Sequence, residues 1–239
     1  MSQDDRRYCI KPDYQPNLAA HGFAASAEPT YWTPERVALS AGYQYDVYKF
    51  AADLMRGPGV ASVLDVGSGP PLKLKSLLPA KPLALHLVDQ AQSARLAARL
   101  LPAATFTAAD LETVDLDLGR RFDLVICADV IEHLLDPDPC LRFIRRHLSR
   151  AGVLLISTPE RDILRGRECR SSPHPMHVRE WNRAEFASFL QSRDWRVISH
   201  RNLPQQRTAA PVRLLGELLD RFGHAPKWYS CQLAVCRPG

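Results

Sequence analysis

The sequence predicts an α/β fold: a doubly wound, mostly parallel sheet of seven strands, covered by helices. From residue 62 onward, short apolar runs alternate with amphipathic stretches of helical length. Crossovers of that kind join parallel strands, which then need helices on both faces. The chain has 239 residues, 46% of them hydrophobic and 24% charged, enough to bury the core of one such domain with extra segments attached.

Residues 1–41 read as an N-terminal extension. Pro12, Pro16, Pro29 and Pro34 interrupt any periodicity there, yet the segment carries Tyr8, Tyr14, Phe23, Tyr31 and Trp32. A disordered tail is normally poorer in aromatics, so this one is expected to pack on the body, as a lid. Thr33-Pro34-Glu35-Arg36 reads as a helix start, with threonine as cap and proline in the first turn. A second helix is expected over 45–56, stopped by Gly57-Pro58-Gly59. The domain proper is read as 42–239. Its strand candidates are 62–66, 83–88, 105–108, 124–128, 153–157, 195–200 and 229–236. Helices are expected over 72–78, 91–101, 139–148, 183–191 and 212–222, and Asn182-Arg183-Ala184-Glu185 has the spacing of a reciprocal cap.

Bulk properties narrow the partners. The formal net charge of +5, from 31 basic and 26 acidic residues, is a mild excess. It suits an anionic substrate or nucleic acid less well than a solvated surface with no charged partner, and no nucleic-acid partner is expected. No apolar run approaches the roughly 20 residues that span a membrane, so no membrane partner is expected. Met1-Ser2-Gln3-Asp4-Asp5-Arg6-Arg7 has no apolar stretch behind its charges, which does not read as a secretory leader. The six cysteines form no Cys-x-x-Cys pair, and Cys127 and Cys231 sit in apolar strand-like runs. Reduced thiols in the cytoplasm, with no metal site, is the expectation.

In such a sheet, ligands bind outside the carboxyl ends of the strands, where the strand order reverses. After the first strand, Gly67 and Gly69 allow a tight turn and a close approach of backbone to ligand. A dinucleotide fingerprint needs a further glycine at position 72, which is Leu72, and this counts against a nicotinamide-dependent oxidoreductase. The second strand ends in Asp89, suited either to accept from two ribose hydroxyls or to cap the next helix. Asp110 and Leu111 follow the third strand and suit an adenine amino group and ring. The fourth strand leads into Asp129-Val130-Ile131-Glu132-His133, three ionisable groups beside a buried strand, either a site or a local pairing.

In this order and spacing, Val63-Leu64-Asp65-Val66-Gly67-Ser68-Gly69, His86-Leu87-Val88-Asp89, Ala108-Ala109-Asp110-Leu111, Asp129-Val130-Ile131-Glu132-His133 and Leu154-Leu155-Ile156-Ser157-Thr158-Pro159-Glu160-Arg161 resemble the motifs of class I S-adenosylmethionine-dependent methyltransferases. The resemblance covers 60–239, and 228–236 is similar to the last, antiparallel strand of that fold. It implies S-adenosylmethionine as cofactor, with Gly67, Ser68 and Gly69 around its methionine part and Asp65 in support. Asp89 and Gln90 would hold the ribose, and Asp110 and Leu111 the adenine. Ala128 and the stretch after it would line the reactive sulfonium. The family's third glycine is Pro71 here, acceptable in a first helical turn but unable to donate an amide.

The acceptor is expected beside 174–181, where His174-Pro175-Met176-His177-Val178-Arg179-Glu180-Trp181 resembles a segment of methyltransferases of natural-product or glycan biosynthesis. The segment reads as too polar for a core, with Arg179 and Glu180 a possible surface ion pair. Arg161, Arg165, Arg167 and Arg170 read as a solvated loop or a site for one anionic small molecule. Tyr43, Gln44 and Tyr48 read equally as cover for the cofactor or as packing. Methyl transfer from a sulfonium is an in-line displacement that needs alignment, exclusion of water and, for a hydroxyl, removal of a proton. His133, His177 and Asp129 are the catalytic candidates, with His174 behind them. The reading is O-methylation of a sugar or secondary metabolite by a monomer or homodimer; a non-catalytic cofactor-binding partner subunit is the alternative.

Overall fold

The computed structural model describes residues 7–20 and 32–239. Phe23, Pro29 and Tyr31 lie outside the described residues. Helices α1 (Pro34–Ser40) and α2 (Tyr45–Arg56) precede β1 (Ser62–Val66), α3 (Leu72–Leu77), β2 (Ala84–Asp89), α4 (Ala94–Leu100) and β3 (Thr105–Ala108). There follow β4 (Phe122–Ala128), α5 (Asp138–His147), β5 (Leu148–Pro159), α6 (Arg161–Arg165), α7 (Arg183–Gln191), β6 (Trp195–Leu203), α8 (Ala210–Arg221) and β7 (Cys231–Pro238).

The strands form one seven-stranded sheet in the order β3-β2-β1-β4-β5-β7-β6. The pairs β1–β2, β2–β3, β1–β4 and β4–β5 are parallel, and β7 inserts antiparallel between β5 and β6. Strand order reverses between β1 and β4, so the crevice lies outside the carboxyl ends of those two strands. Alternate side chains serve opposite faces. Leu64, Val66, Val125 and Cys127 pack with Phe143, Ile144, Phe186 and Trp181 on one face. Val63, Leu124 and Ile126 pack with Val47, Ala51, Met55 and Leu74 on the other. Each fully buried side chain of this size contributes about 1.5–3 kcal/mol.

Local chemistry fixes the element ends. Thr33 caps α1 by accepting from the Arg36 amide at 3.3 Å, with Pro34 in the first turn. Asn182 and Glu185 form the reciprocal box at the start of α7. The stretch 91–101 is a 3₁₀ turn, Ala91–Ser93, followed by α4. β5 begins at Leu148, earlier than the apolar pattern indicates, because exposed polar residues continue the strand. The sequence pattern misses α6, which has one turn and is capped by Glu160 accepting from the Ile163 amide at 2.6 Å.

Candidate functional site

The turn after β1 is built from backbone. Gly67 has φ +72° and Gly69 φ +51°, and a Cβ on Gly67 would lie 2.4 Å from Val130 Cγ2. Only glycine fits both the left-handed backbone and the approach to the segment after β4. The Gly67 amide donates to the Val88 carbonyl at 2.8 Å, tying the turn to the end of β2. There, Asp89 accepts from the Gly69 amide at 2.5 Å, the Gln90 amide at 2.6 Å and the Ser93 hydroxyl at 3.1 Å. Burial raises its pKa, and these donors oppose the rise. Trp32 donates to Ser93 Oγ at 2.9 Å, and its ring stands 3.2 Å from the Cβ position of Gly69, so an indole lies on the glycine turn.

Beneath the turn, Asp65 is fully buried and accepts from the Tyr48 hydroxyl at 3.1 Å. Burial pushes its pKa up to about 7, against the Tyr48 hydrogen bond and the nearby Lys73 charge. Lys73 is itself buried, donates to the Ser40 carbonyl at 2.7 Å and stands 4.9 Å from the Tyr48 ring centre. Tyr48 is thus a buried support for Asp65, and Gln44 reaches the crevice directly. Asp110 is exposed and accepts from the Glu112 amide at 3.0 Å, while Leu111 beside it is buried.

After β4 comes Ala128, then Asp129 in the left-handed region at φ +52°, uncommon for a residue with a side chain and frequent at functional strand ends. Its carboxylate accepts from Ser157 Oγ at 2.6 Å and Gln44 Nε2 at 2.8 Å. Three residues on, Glu132 is fully buried. One of its oxygens accepts from Thr158 Oγ1 at 3.1 Å; the other has no hydrogen-bond partner among the described residues. Burial and then the charge of Asp129 raise the Glu132 pKa well above the usual carboxylate range.

His133 and His177 meet edge to face, with ring centres 4.8 Å apart, and His174 stacks on His177 at 3.9 Å. His133 Nδ1 lies 2.6 Å from the Met176 carbonyl, and His177 Nδ1 lies 2.6 Å from Glu180 Oε1. A carbonyl only accepts, so His133 carries its proton on Nδ1 and leaves a lone pair on Nε2. Burial and then the charge of His177 push the His133 pKa down to about 3. Burial raises the Glu180 pKa, but His177 and Arg165 outweigh it and hold the carboxylate at about 2. It is therefore an acceptor, and His177 donates to it through Nδ1.

The segment after β5 departs from its reading as polar and solvated. Arg161 is 1% exposed and donates to Glu185 at 2.6 Å, and Arg165 pairs with Glu180 at 3.0 Å. Arg167 is exposed, and the exposed Arg170 pairs with Asp13 at 3.1 Å. Arg179 and Glu180 are buried and face different partners. Arg179 donates to the carbonyls of Leu134 and Leu135, each at 2.9 Å, with its guanidinium 3.8 Å from the Tyr8 ring centre. Trp181 is fully buried and donates to the Tyr8 carbonyl at 2.8 Å, while the Glu180 amide donates to the Tyr14 hydroxyl oxygen at 2.9 Å. Glu160, Arg161 and residues 177–181 are core because their polar groups find partners in α7 and in residues 7–20, pairings that a local reading does not reveal, while Arg167 and Arg170 stay exposed.

The structure therefore gathers Asp65, Gly67, Ser68, Gly69, Asp89, Gln90 and Asp129 around the crevice at β1, β2 and β4. It brings His133 to His177 across 44 positions of chain, a juxtaposition without a local signal. Ser157 and Glu180 are site neighbours that were not among the candidate residues, while Glu132 is one of the three ionisable groups the sequence places after β4.

A sheet of this order, with β7 antiparallel and a glycine turn at the β1 end of the crevice, is the class I methyltransferase architecture. The chain belongs to the S-adenosylmethionine-dependent methyltransferases: the profile of a family described as "Methyltransferase domain" matches residues 41–200. A methyltransferase in complex with the Haloferax volcanii Trm112 methyltransferase activator is similar at TM-score 0.64 and 16% identity, covering 84% of this chain and 91% of that one. The plantazolicin methyltransferase BpumL, in complex with a pentazolic desmethylPZN analog and SAH, gives TM-score 0.59 and 17% identity over 93% and 95% of the two chains. The [4+2]-cyclase SpnF gives TM-score 0.64 and 14% identity over 94% and 98%. At these identities the likeness shows the fold, which one of the three uses for a cyclisation. A comparison with curated proteins gave no match.

Proposed function

We propose that this chain transfers the methyl group of S-adenosylmethionine to an oxygen of a small-molecule acceptor, a sugar or secondary metabolite, in the cytoplasm. The observation that carries the reading is the meeting, at one reversal of strand order, of a glycine turn with the His133–His177 cluster. Gly67, Ser68 and Gly69 cradle the methionine part, with Asp65 fixed below them. Asp89 and Gln90 take the ribose, Asp110 and Leu111 the adenine edge and face, and Ala128 the sulfonium side. Asp89 already holds two backbone amides, so it is oriented before a ligand arrives. The hydroxyl's proton is lost at the histidine cluster, where His177 has the imidazole-plus-carboxylate arrangement that positions a base. Asp129, held by Ser157 and Gln44, orients the reacting groups.

Residues 1–41 are an extension of the 42–239 domain, and its described end closes over the cofactor mouth, a reading supported by Trp32 on Gly69. All six cysteines are free, as in a reducing compartment, and no described helix is long and apolar enough to cross a membrane. The modest positive charge and the exposed Arg167 favour an anionic acceptor.

Calorimetric titration with S-adenosylhomocysteine and with NAD tests the cofactor: binding of the first alone is expected, and binding of neither refutes the reading. Asp89→Ala should weaken S-adenosylhomocysteine by about 10- to 100-fold, through loss of hydrogen bonds to a charged group. His177→Ala should spare that affinity and lower turnover on an acceptor panel by about 10²-fold or more. A second reading, a non-catalytic cofactor-binding partner subunit, draws on the neighbour seen with an activator. It predicts cofactor binding without turnover on any acceptor.

A further inference from the structure

We infer that Glu132, His133 and His177 form a binding site for a divalent first-row transition ion. One donor atom from each residue lies within 4.8 Å of the other two. Atoms bound to one ion at about 2.1 Å stand at most about 4.2 Å apart, so side-chain adjustments of less than about 1 Å close the trio around an ion.

Two further features point the same way. Glu132 is fully buried, and one carboxylate oxygen has no hydrogen-bond partner among the described residues. A buried oxygen left bare is costly, and native structures keep few of them without a reason. A cation at that oxygen supplies the missing partner. The histidines, for their part, are already anchored for ligation. His133 gives its Nδ1 proton to the Met176 carbonyl and His177 gives its own to Glu180, each at 2.6 Å. An outer acceptor on one ring nitrogen fixes the tautomer and turns the other nitrogen's lone pair toward a metal. Ser172 and Arg165 in turn hold Glu180, donating to it at 2.9 and 3.0 Å.

Two imidazoles and one carboxylate suit zinc, iron(II) or manganese(II) better than calcium or magnesium, which favour all-oxygen shells. Three protein ligands leave coordination positions open, as catalytic sites do. On the methyltransferase reading, on which this part alone rests, an open position takes the acceptor's hydroxyl oxygen. With the ion bound, His177 is a ligand and no longer the base: coordination lowers the hydroxyl pKa and the proton leaves to solvent, in place of the histidine route of the ion-free site. The oxygen lone pair then forms the new C–O bond while the C–S pair returns to sulfur, giving the methyl ether and a neutral thioether.

The test uses the full chain, stripped with a chelator and titrated with Zn²⁺ and with Co²⁺, while S-adenosylhomocysteine affinity is measured in parallel. One ion per chain is expected, with Co²⁺ giving a ligand-field absorption band. Glu132→Gln and His177→Asn should each weaken the ion by about 100-fold or more, and Glu180→Gln by about 10- to 100-fold. Absence of stoichiometric binding, or unchanged affinity in Glu132→Gln and His177→Asn, overturns the site and leaves the cofactor reading standing. Loss of S-adenosylhomocysteine binding by the parent overturns the cofactor reading without touching the metal. Should a variant fail to fold, Co²⁺-induced shifts of the His133 and His177 ring protons in the parent decide the matter: shifted signals support the site, and unshifted ones overturn it.

Discussion

The two banks of the crevice are built from different materials. On the bank proposed for the cofactor, Gly67, Gly69 and the amides that meet Asp89 present backbone. On the opposite bank, 160–181 presents the buried Arg161, His177, Glu180 and Trp181 and the half-buried Arg165, cross-braced to α7 and to Tyr8 and Tyr14 of the N-terminal segment. A backbone site is specified by a few residues close in sequence, because glycine freedom and strand ends are local properties. A side-chain site is specified by partners far apart in the chain. The first can keep its form while the second is rebuilt around a different acceptor, which fits a fold whose neighbours here include a methyltransferase and a cyclase.

This contrast can be broken by mutation. The largest effect is expected at Trp181, whose ring is fully buried and centred 5.1 Å from that of Phe189. Trp181→Ala should cost about 3–5 kcal/mol in urea unfolding, and a loss under about 1 kcal/mol would show that this bank is not core. Gly67→Ala should be milder for stability, about 1–3 kcal/mol from the left-handed backbone and the contact with Val130. It should still weaken S-adenosylhomocysteine, and unchanged affinity would remove the turn from the site. Asn182→Ala removes one side of the α7 cap and should cost about 1 kcal/mol by the same measurement.

The last effect is a slope with pH. Asp65 titrates near pH 7 when folded, up from an ordinary 3.8, so between those values the folded state holds a proton that the unfolded state has lost. Its contribution to stability is complete below the lower value and is lost as pH rises through the upper one. Asp65→Asn should flatten the fall in unfolding free energy between about pH 4 and about pH 7, and an identical profile would place the proton elsewhere.

The legibility of the chain divides along the same line. Strand–helix alternation, the caps at Thr33 and Asn182, and the glycine turn were all readable, because each depends on residues within one or two turns of chain. The early start of β5 at Leu148 was not, since the half-buried Ser149 and the exposed Arg150 carry no apolar signal and the strand is set by pairing with β4. Nor was the burial of Arg161 and 177–181. Four arginines within ten positions look solvated until Glu185 and Glu180 are brought to Arg161 and Arg165.

The sequence by itself determined the class of fold and the glycine turn: periodicity chooses strand or helix, and glycine at 67 and 69 permits a turn that other residues resist. Only the tertiary structure decided the opposite bank, the one proposed for the acceptor. It brought His177 to His133 and Glu132, gave each ring an acceptor for its outer nitrogen, and left one oxygen of Glu132 without a partner among the described residues. Charged and polar side chains become core or surface according to the partners that arrive from elsewhere in the chain, because burial without a partner costs more than the fold can spare.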